Sequence, residues 1–258
     1  MLPGRLRNRK QKGRNSVSFD LRKAPRMPLD KSLISGLPAF TGLSGADMDA
    51  VLSLARSSRF PKGSEVFSQD EESGSFFLLL SGHIRVVRTT PGGEQVIARY
   101  INEGELFGIA AAMGRTTYPA SAVAAVDCVA LSWPNAAWQD FQSRVPGFGA
   151  NAYRTIGARL QDTQSRVMEM STRQVEQRVA GAVMRLAQQS GRKTEHGVEI
   201  DFPISRQDIA EMTGSTLHTV SRLMSAWEEE GIVRSGRQKV TVTDPHALML
   251  VAENRHGK

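Results

Sequence analysis

The sequence predicts an α+β protein of two domains, an antiparallel β-roll followed by a winged helix-turn-helix, with a long dimerisation helix between them. Three observations predict it. Residues 60–134 carry short apolar runs punctuated by glycine, among them SFFLLLSGHIRVVRTT, EQVIARYI and PASAVAAVDCVALSWP, and runs of about 5–8 residues between turn signals are the signature of antiparallel strands. From Pro146 the apolar spacing turns helical. Ser205 to Val233, SRQDIAEMTGSTLHTVSRLMSAWEEEGIV, then reads as helix, glycine-containing turn, helix.

Residues 1–29 are a basic tail. Residues 1–31 hold 10 Lys and Arg against 2 Asp and Glu, a net of +8 out of the chain's +7, so the remainder is close to neutral. The tail has no apolar periodicity and is expected to be disordered, adding at most phosphate affinity without sequence preference. Residues 30–145 form the roll domain. It opens with two or three short helices, placed by Leu33, Ile34 and Leu37 and then, after the cap-like Ser44, by Met48, Val51, Leu52 and Leu54. Pro91-Gly92-Gly93 is its clearest hairpin signal, because glycine accepts the positive φ of a tight reversal.

The long helix is placed over 146–172. Within it Ile156, Leu160, Thr163, Val167 and Met170 repeat at 4-3-4-3 spacing, the a/d seam of a short two-stranded coiled coil. The same stripe would also serve to pack the helix on its own roll; the polar Thr163 in mid-seam favours a register-setting interface between two copies. The DNA-binding domain is placed over 173–258. VEQRVAGAVMRLAQQSG continues as an amphipathic helix, GRKTEHG reads as a polar turn, VEIDFPI as a strand, and EEEGIVRSGRQKVTVTDPHAL as the wing.

Ser205 is placed to cap the first helix of the motif with Asp208 at its N3 position, Gly214 to break it, and Thr216 to cap the second. Val220, Leu223, Met224 and Trp227 face inward, leaving Leu217, His218, Ser221 and Arg222 on the outer face. In this arrangement the second helix enters the major groove of double-stranded DNA. Arg222 is the main candidate for base reading, since one guanidinium bonds guanine O6 and N7 together. His218 and Ser221 suit neighbouring bases and Leu217 a thymine methyl. Ser205, Arg206, Thr216 and Thr219 suit phosphates, which fix register without specifying sequence.

Other classes are poorly supported. The chain has no metal-spaced His/Glu cluster, no phosphate-cradling glycine loop and no nucleophile with an evident base, so it does not read as an enzyme. No run approaches the ~20 apolar residues of a membrane span, and a cytoplasmic protein without a membrane partner is expected. Cys128, the single cysteine, lies in an apolar run and reads as a buried structural thiol; it cannot supply the ligands of an iron–sulfur cluster.

In order of parts the chain resembles the Crp-Fnr family over roughly residues 30–250. The resemblance is carried by the roll glycines Gly63, Gly82, Gly93, Gly104 and Gly108, by the phrase GELFG, by the long helix, and by SRQDIAEMTGSTLHTVSRL. It implies a cyclic-nucleotide-binding-like roll, a homodimer on a palindromic site, and RNA polymerase as a further partner. Family members that bind cyclic AMP carry a Glu after the FG pair and an Arg-Ser pair before the Ala-rich strand. The effector-pocket positions here are Phe107, Gly108, Ile109, Tyr118 and Pro119, which offer no guanidinium to a cyclic phosphate, so control by cyclic AMP is not expected. TYPASAVA, VEQRVAGAVMRLAQQSGRKTE and FPISRQDIAEMTGSTLHTVSRL resemble the nitric-oxide-responsive NnrR/DNR branch. That likeness implies nitric oxide sensed through haem, with targets among denitrification genes. His83, an exposed turn histidine, is the candidate haem ligand, and Cys128, Met113 and Tyr118 are no better. Two alternatives remain open: a regulator with another small effector or none, and a ligand-sensing module that never reads DNA.

Overall fold

The computed structural model describes residues 31–254; the basic tail expected over 1–29 lies outside the described residues. The roll begins with two short 3-10 turns, Lys31–Leu33 and Pro38–Phe40, and one α-helix, α1 (Gly45–Ser53). The helices expected before Ser44 are therefore single turns, because Gly36, Pro38 and Gly42 interrupt any longer run. Ser44 and Asp47 close a reciprocal capping box on α1, the Ser44 side chain accepting from the Asp47 amide at 3.1 Å.

Eight strands follow: β1 (Arg56–Phe60), β2 (Glu65–Phe67), β3 (Ser75–Ser81), β4 (Ile84–Thr89), β5 (Gln95–Ile101), β6 (Leu106–Phe107), β7 (Ser121–Ala124) and β8 (Cys128–Pro134). They make two antiparallel sheets, ordered β1-β8-β3-β6 and β2-β7-β4-β5. The Pro91-Gly92-Gly93 turn joins β4 to β5 as expected, Gly93 having φ 86°. Gly82, between β3 and β4, has φ 95°, and a Cβ there would stand 2.7 Å from both Asp127 O and Cys128 Sγ. Gly82→Ala is therefore expected to cost ~1–3 kcal/mol through backbone strain and a forced shift of β8, read as a lower midpoint in a denaturant titration.

Between the two sheets lies an aromatic core of Phe60, Phe67, Phe77, Phe107 and Tyr118. A second core, of Phe76, Trp133, Trp138, Phe141 and Phe148, joins the first sheet to α1, α2 (Trp138–Arg144) and the start of α3 (Pro146–Thr172). Asn151, buried on α3, donates to Ala39 O (2.9 Å) and Thr41 O (3.0 Å) and so ties the long helix to the N-terminal turns.

After two extended residues, Arg173 and Gln174, the chain enters α4 (Val175–Ser190). The remaining elements are β9 (Gly191–Thr194), β10 (Gly197–Ile200), α5 (Arg206–Thr213), α6 (Leu217–Glu229), β11 (Val233–Gly236), β12 (Lys239–Val242) and α7 (Pro245–Ala252). The segment expected as a polar turn, GRKTEHG, is largely a strand: β9 pairs with β10, and only Glu195 and His196 turn. Pairing across a short hairpin overrides the polar composition. β11 and β12 form the wing, in the sheet order β11-β12-β10-β9. Val87, Ile97 and Tyr100, from β4 and β5 of the roll, are buried in the same core as Val179, Ile209, Met224 and Trp227 of the C-terminal domain.

Candidate nucleic-acid interface

Local chemistry builds the two helices of the motif. The Ser205 side chain accepts from the Asp208 amide (3.1 Å), and Asp208 Oδ2 accepts from the Ser205 amide (2.7 Å), which starts α5. Gly214 ends it at φ 58°. Thr216 then caps α6, its hydroxyl accepting from the Thr219 amide at 3.1 Å. Ile209, Ala210, Val220, Leu223, Met224 and Trp227 all point into the core. The outer face of α6 is set by what these apolar residues leave over.

Leu217, His218 and Arg222 are exposed on that face, Leu217 at 47%, and Ser221 is half-buried beside them. The side chains of Arg222 and His218 make no hydrogen bond or ion pair with other described residues, and no acidic residue stands in the first turn of α6. Thr216 is exposed and Thr219 and Ser205 are half-buried at the two helix starts, where free amides favour an anion. In the wing, Arg234, Arg237 and Lys239 are exposed.

Arg206, by contrast, is engaged. Its guanidinium donates to Glu228 Oε2 (3.1 Å) and approaches Ser225 Oγ (3.4 Å). The other Glu228 oxygen accepts from the Ser235 amide of β11 at 2.7 Å. Glu228 thus joins α5, α6 and the wing. Sequence reasoning missed it, because an acid within EEEG shows no partner until the wing folds back.

On α3 the stripe is uncovered. Leu160 is 58% exposed, Val167 60% and Met170 50%, with Thr163 also exposed and Ile156 half-buried against the roll core. Met168, outside the expected seam, is 62% exposed. The stripe beyond Ile156 does not pack on its own roll. The flank beside the stripe does, through Arg159, which donates to Leu106 O, and Arg166, which donates to Ala98 O.

The sequence model of the Cyclic nucleotide-binding domain matches residues 57–144 and that of the Crp-like helix-turn-helix domain matches residues 177–251. The chain belongs to the Crp-Fnr family. Within that family it is 29% identical over 219 residues to the cyclic AMP receptor protein of Thermus thermophilus, covering 85% of this chain and 98% of that one. It is 26% identical over 207 residues to the nitrogen fixation regulation protein FixK of Azorhizobium caulinodans, covering 80% and 82%. The fold matches that of FixK2 from Bradyrhizobium japonicum with a TM-score of 0.68 at 18% identity, over 79% of this chain and 98% of that one. The global regulator CLP of Xanthomonas campestris, described as c-di-GMP responsive, gives 0.68 at 16%, over 77% and 99%. The chain is a Crp-Fnr-type transcription regulator.

In the roll of this Crp-Fnr protein the residues expected to line an effector pocket lie in or beside the aromatic core. Tyr118 stacks on Phe67 at 3.8 Å and 15°, and its hydroxyl donates to Ser75 O at 2.6 Å. Burial lifts its pKa to about 12. Phe107 stacks on Phe77 at 5.1 Å, Ile109 is buried, and Gly108 and Pro119 are half-buried. A cleft of about 1050 Å³ opens on the outer face of the β2-β7-β4-β5 sheet, with Glu65, Asp70, Arg85, Arg88 and Val96 in its walls.

His83 is not an exposed turn residue. It is half-buried, its Nδ1 is 3.0 Å from Asn102 Oδ1, and its ring lies 4.5 Å from that of Phe202 in the C-terminal domain. Its pKa is lowered, chiefly by burial. Cys128 is 2% exposed, with its Sγ 3.3 Å from His83 O, and burial raises its thiol pKa. Among the described residues no three His, Cys, Asp or Glu side chains cluster as metal ligands, and no helix is long and apolar enough to cross a membrane.

Proposed function

We propose that this protein works as a homodimer that reads a palindromic DNA site with α6 of each copy and acts on transcription together with RNA polymerase. The observation that carries the proposal is the outer face of α6, where Arg222 and His218 stand exposed at the mouth of a capped helix. The exposed stripe on α3 supports pairing of two copies, and twofold symmetry of protein and operator then go together. The test is selection from random duplexes by the full chain. A twofold-symmetric sequence should be enriched, with half-sites about 10–10.5 bp apart or a multiple of that. Its affinity should fall steeply with salt. Enrichment of nothing would withdraw the reading.

The finer part of the proposal is a response to nitric oxide that governs denitrification genes. Its support is the likeness of TYPASAVA, VEQRVAGAVMRLAQQSGRKTE and FPISRQDIAEMTGSTLHTVSRL to the NnrR/DNR branch. Haem is the group such a response calls for, and the surroundings of His83 do not fit it: Nδ1 is engaged by Asn102, and the ring rests against Phe202. Operator affinity of haemin-treated protein, measured with and without a nitric oxide donor, decides this part. An unchanged affinity removes nitric oxide and leaves the regulator.

The likeness to a cyclic AMP receptor protein favours a second reading, cyclic AMP as the signal. The residues favour it less, since the positions that would hold ribose and phosphate are Ile109, Tyr118 and Pro119, the first two buried among aromatic rings.

A further inference from the structure

We propose that Arg85, a residue of the sensory roll, is a positioning residue for DNA reading: it grips the cap carboxylate of α5 and thereby sets the angle at which α6 is presented. The inference rests on the DNA-binding reading above. Arg85 Nη1 donates to Asp208 Oδ1 at 2.8 Å, across 123 residues of sequence, and the Asp208 side chain is only 14% exposed. The carboxylate is divided between two tasks. Oδ2 takes the amide and hydroxyl of Ser205 (2.7 and 2.6 Å) and completes the helix cap, while Oδ1 takes the guanidinium from the roll.

Around this pair the two domains share an apolar seat. Phe202 lies between Tyr100 and His83 of the roll, 4.5 Å from each ring, and Val87 and Ile97 are buried against the C-terminal core. Ser190, at the end of α4, donates to Asn102 Oδ1 at 2.6 Å. Apolar contact of this kind supplies adhesion but little direction, since burial is indifferent to small rotations. The Arg85–Asp208 pair supplies the direction, because a charge-assisted hydrogen bond has a narrow range of length and angle. Together with the Ser190–Asn102 bond and the two-residue joint at Arg173 and Gln174 it holds the C-terminal domain at three separated points. In this arrangement Leu217, His218 and Arg222 are exposed, so the pair holds a reader whose face is open.

The test uses full-length dimer and two duplexes, the selected palindrome and one carrying a single half-site, with Arg85→Ala, Asp208→Asn and the double variant. Asp208→Asn keeps an acceptor for the Ser205 amide, so the cap survives while the charge is lost. Each single variant should bind the palindrome about five- to tenfold more weakly, the double variant no more weakly than either, and all three should match the parent on the half-site. The proposal is overturned by unchanged or tighter palindrome binding, by equal losses on both duplexes, or by losses that add. Arg222→Ala is run alongside. If that variant still discriminates, the DNA reading itself has failed; if it does not and the Arg85 variants behave like the parent, only the positioning role falls.

Discussion

Arg222→Ala is expected to erase most of the preference for the operator over random duplex, by ~1–3 kcal/mol at each half-site. Arg222 is exposed on α6, away from the buried Val220, Leu223, Met224 and Trp227, so the substitution leaves the core untouched and its effect is confined to the groove. Removing a bidentate donor leaves guanine O6 and N7 to water, and the loss appears only with the cognate base. Arg234→Ala in the wing gives the contrast. Arg234 is exposed in the wing, and if it meets phosphate its loss should weaken binding on every sequence alike and lower the salt slope by about 1. Competition titrations with specific and random duplex measure both. Equal discrimination by parent and Arg222→Ala would remove Arg222 from base reading.

Leu160→Glu combined with Val167→Glu is expected to separate the dimer and to weaken operator binding by about 10²–10⁴, the advantage that joint engagement of two half-sites confers. Both side chains are more than half exposed in one copy, so the folded chain tolerates the change. In a pair, the same positions face their counterparts, and four carboxylates replace four apolar side chains worth about 1.5–3 kcal/mol each when fully buried. Sedimentation should give the mass of one chain, 28.2 kDa. If the stripe packed only within its own chain, the thermal midpoint would fall instead while the mass stayed at its parent value; that outcome would sink the seam.

What the sequence disclosed was local. The caps at Ser44 and Ser205, the glycine breaks and the alternation between a period of two and a helical period involve residues two to four apart, and the structure places them as expected. What it concealed was distant. Arg85 and Asp208 meet across 123 residues, and Glu228 reaches Ser235 only when β11 has paired with β12. His83 looked exposed beside Gly82 because its partners lie far along the chain: Asn102 follows β5, and Phe202 arrives from the other domain. The aromatic stack of Phe67, Phe77, Phe107 and Tyr118 was equally hidden, since four rings from four segments show no spacing. The exposed face of α6 was legible for the opposite reason: it is what remains when the apolar face has been assigned.

The joint between α3 and α4 is two extended residues, and this has a mechanical consequence. α4, at 16 residues, makes a lever arm of about 24 Å, so a tilt of about 10° at Arg173 and Gln174 carries its far end through about 4 Å. Glu228 welds α5, α6 and the wing into one block, so they travel together. A hydrogen bond to a base edge tolerates only a few tenths of an ångström. Such a tilt would break the Ser190–Asn102 bond and slide Phe202 off Tyr100 and His83, and it would take the side chains of α6 out of reach of the bases.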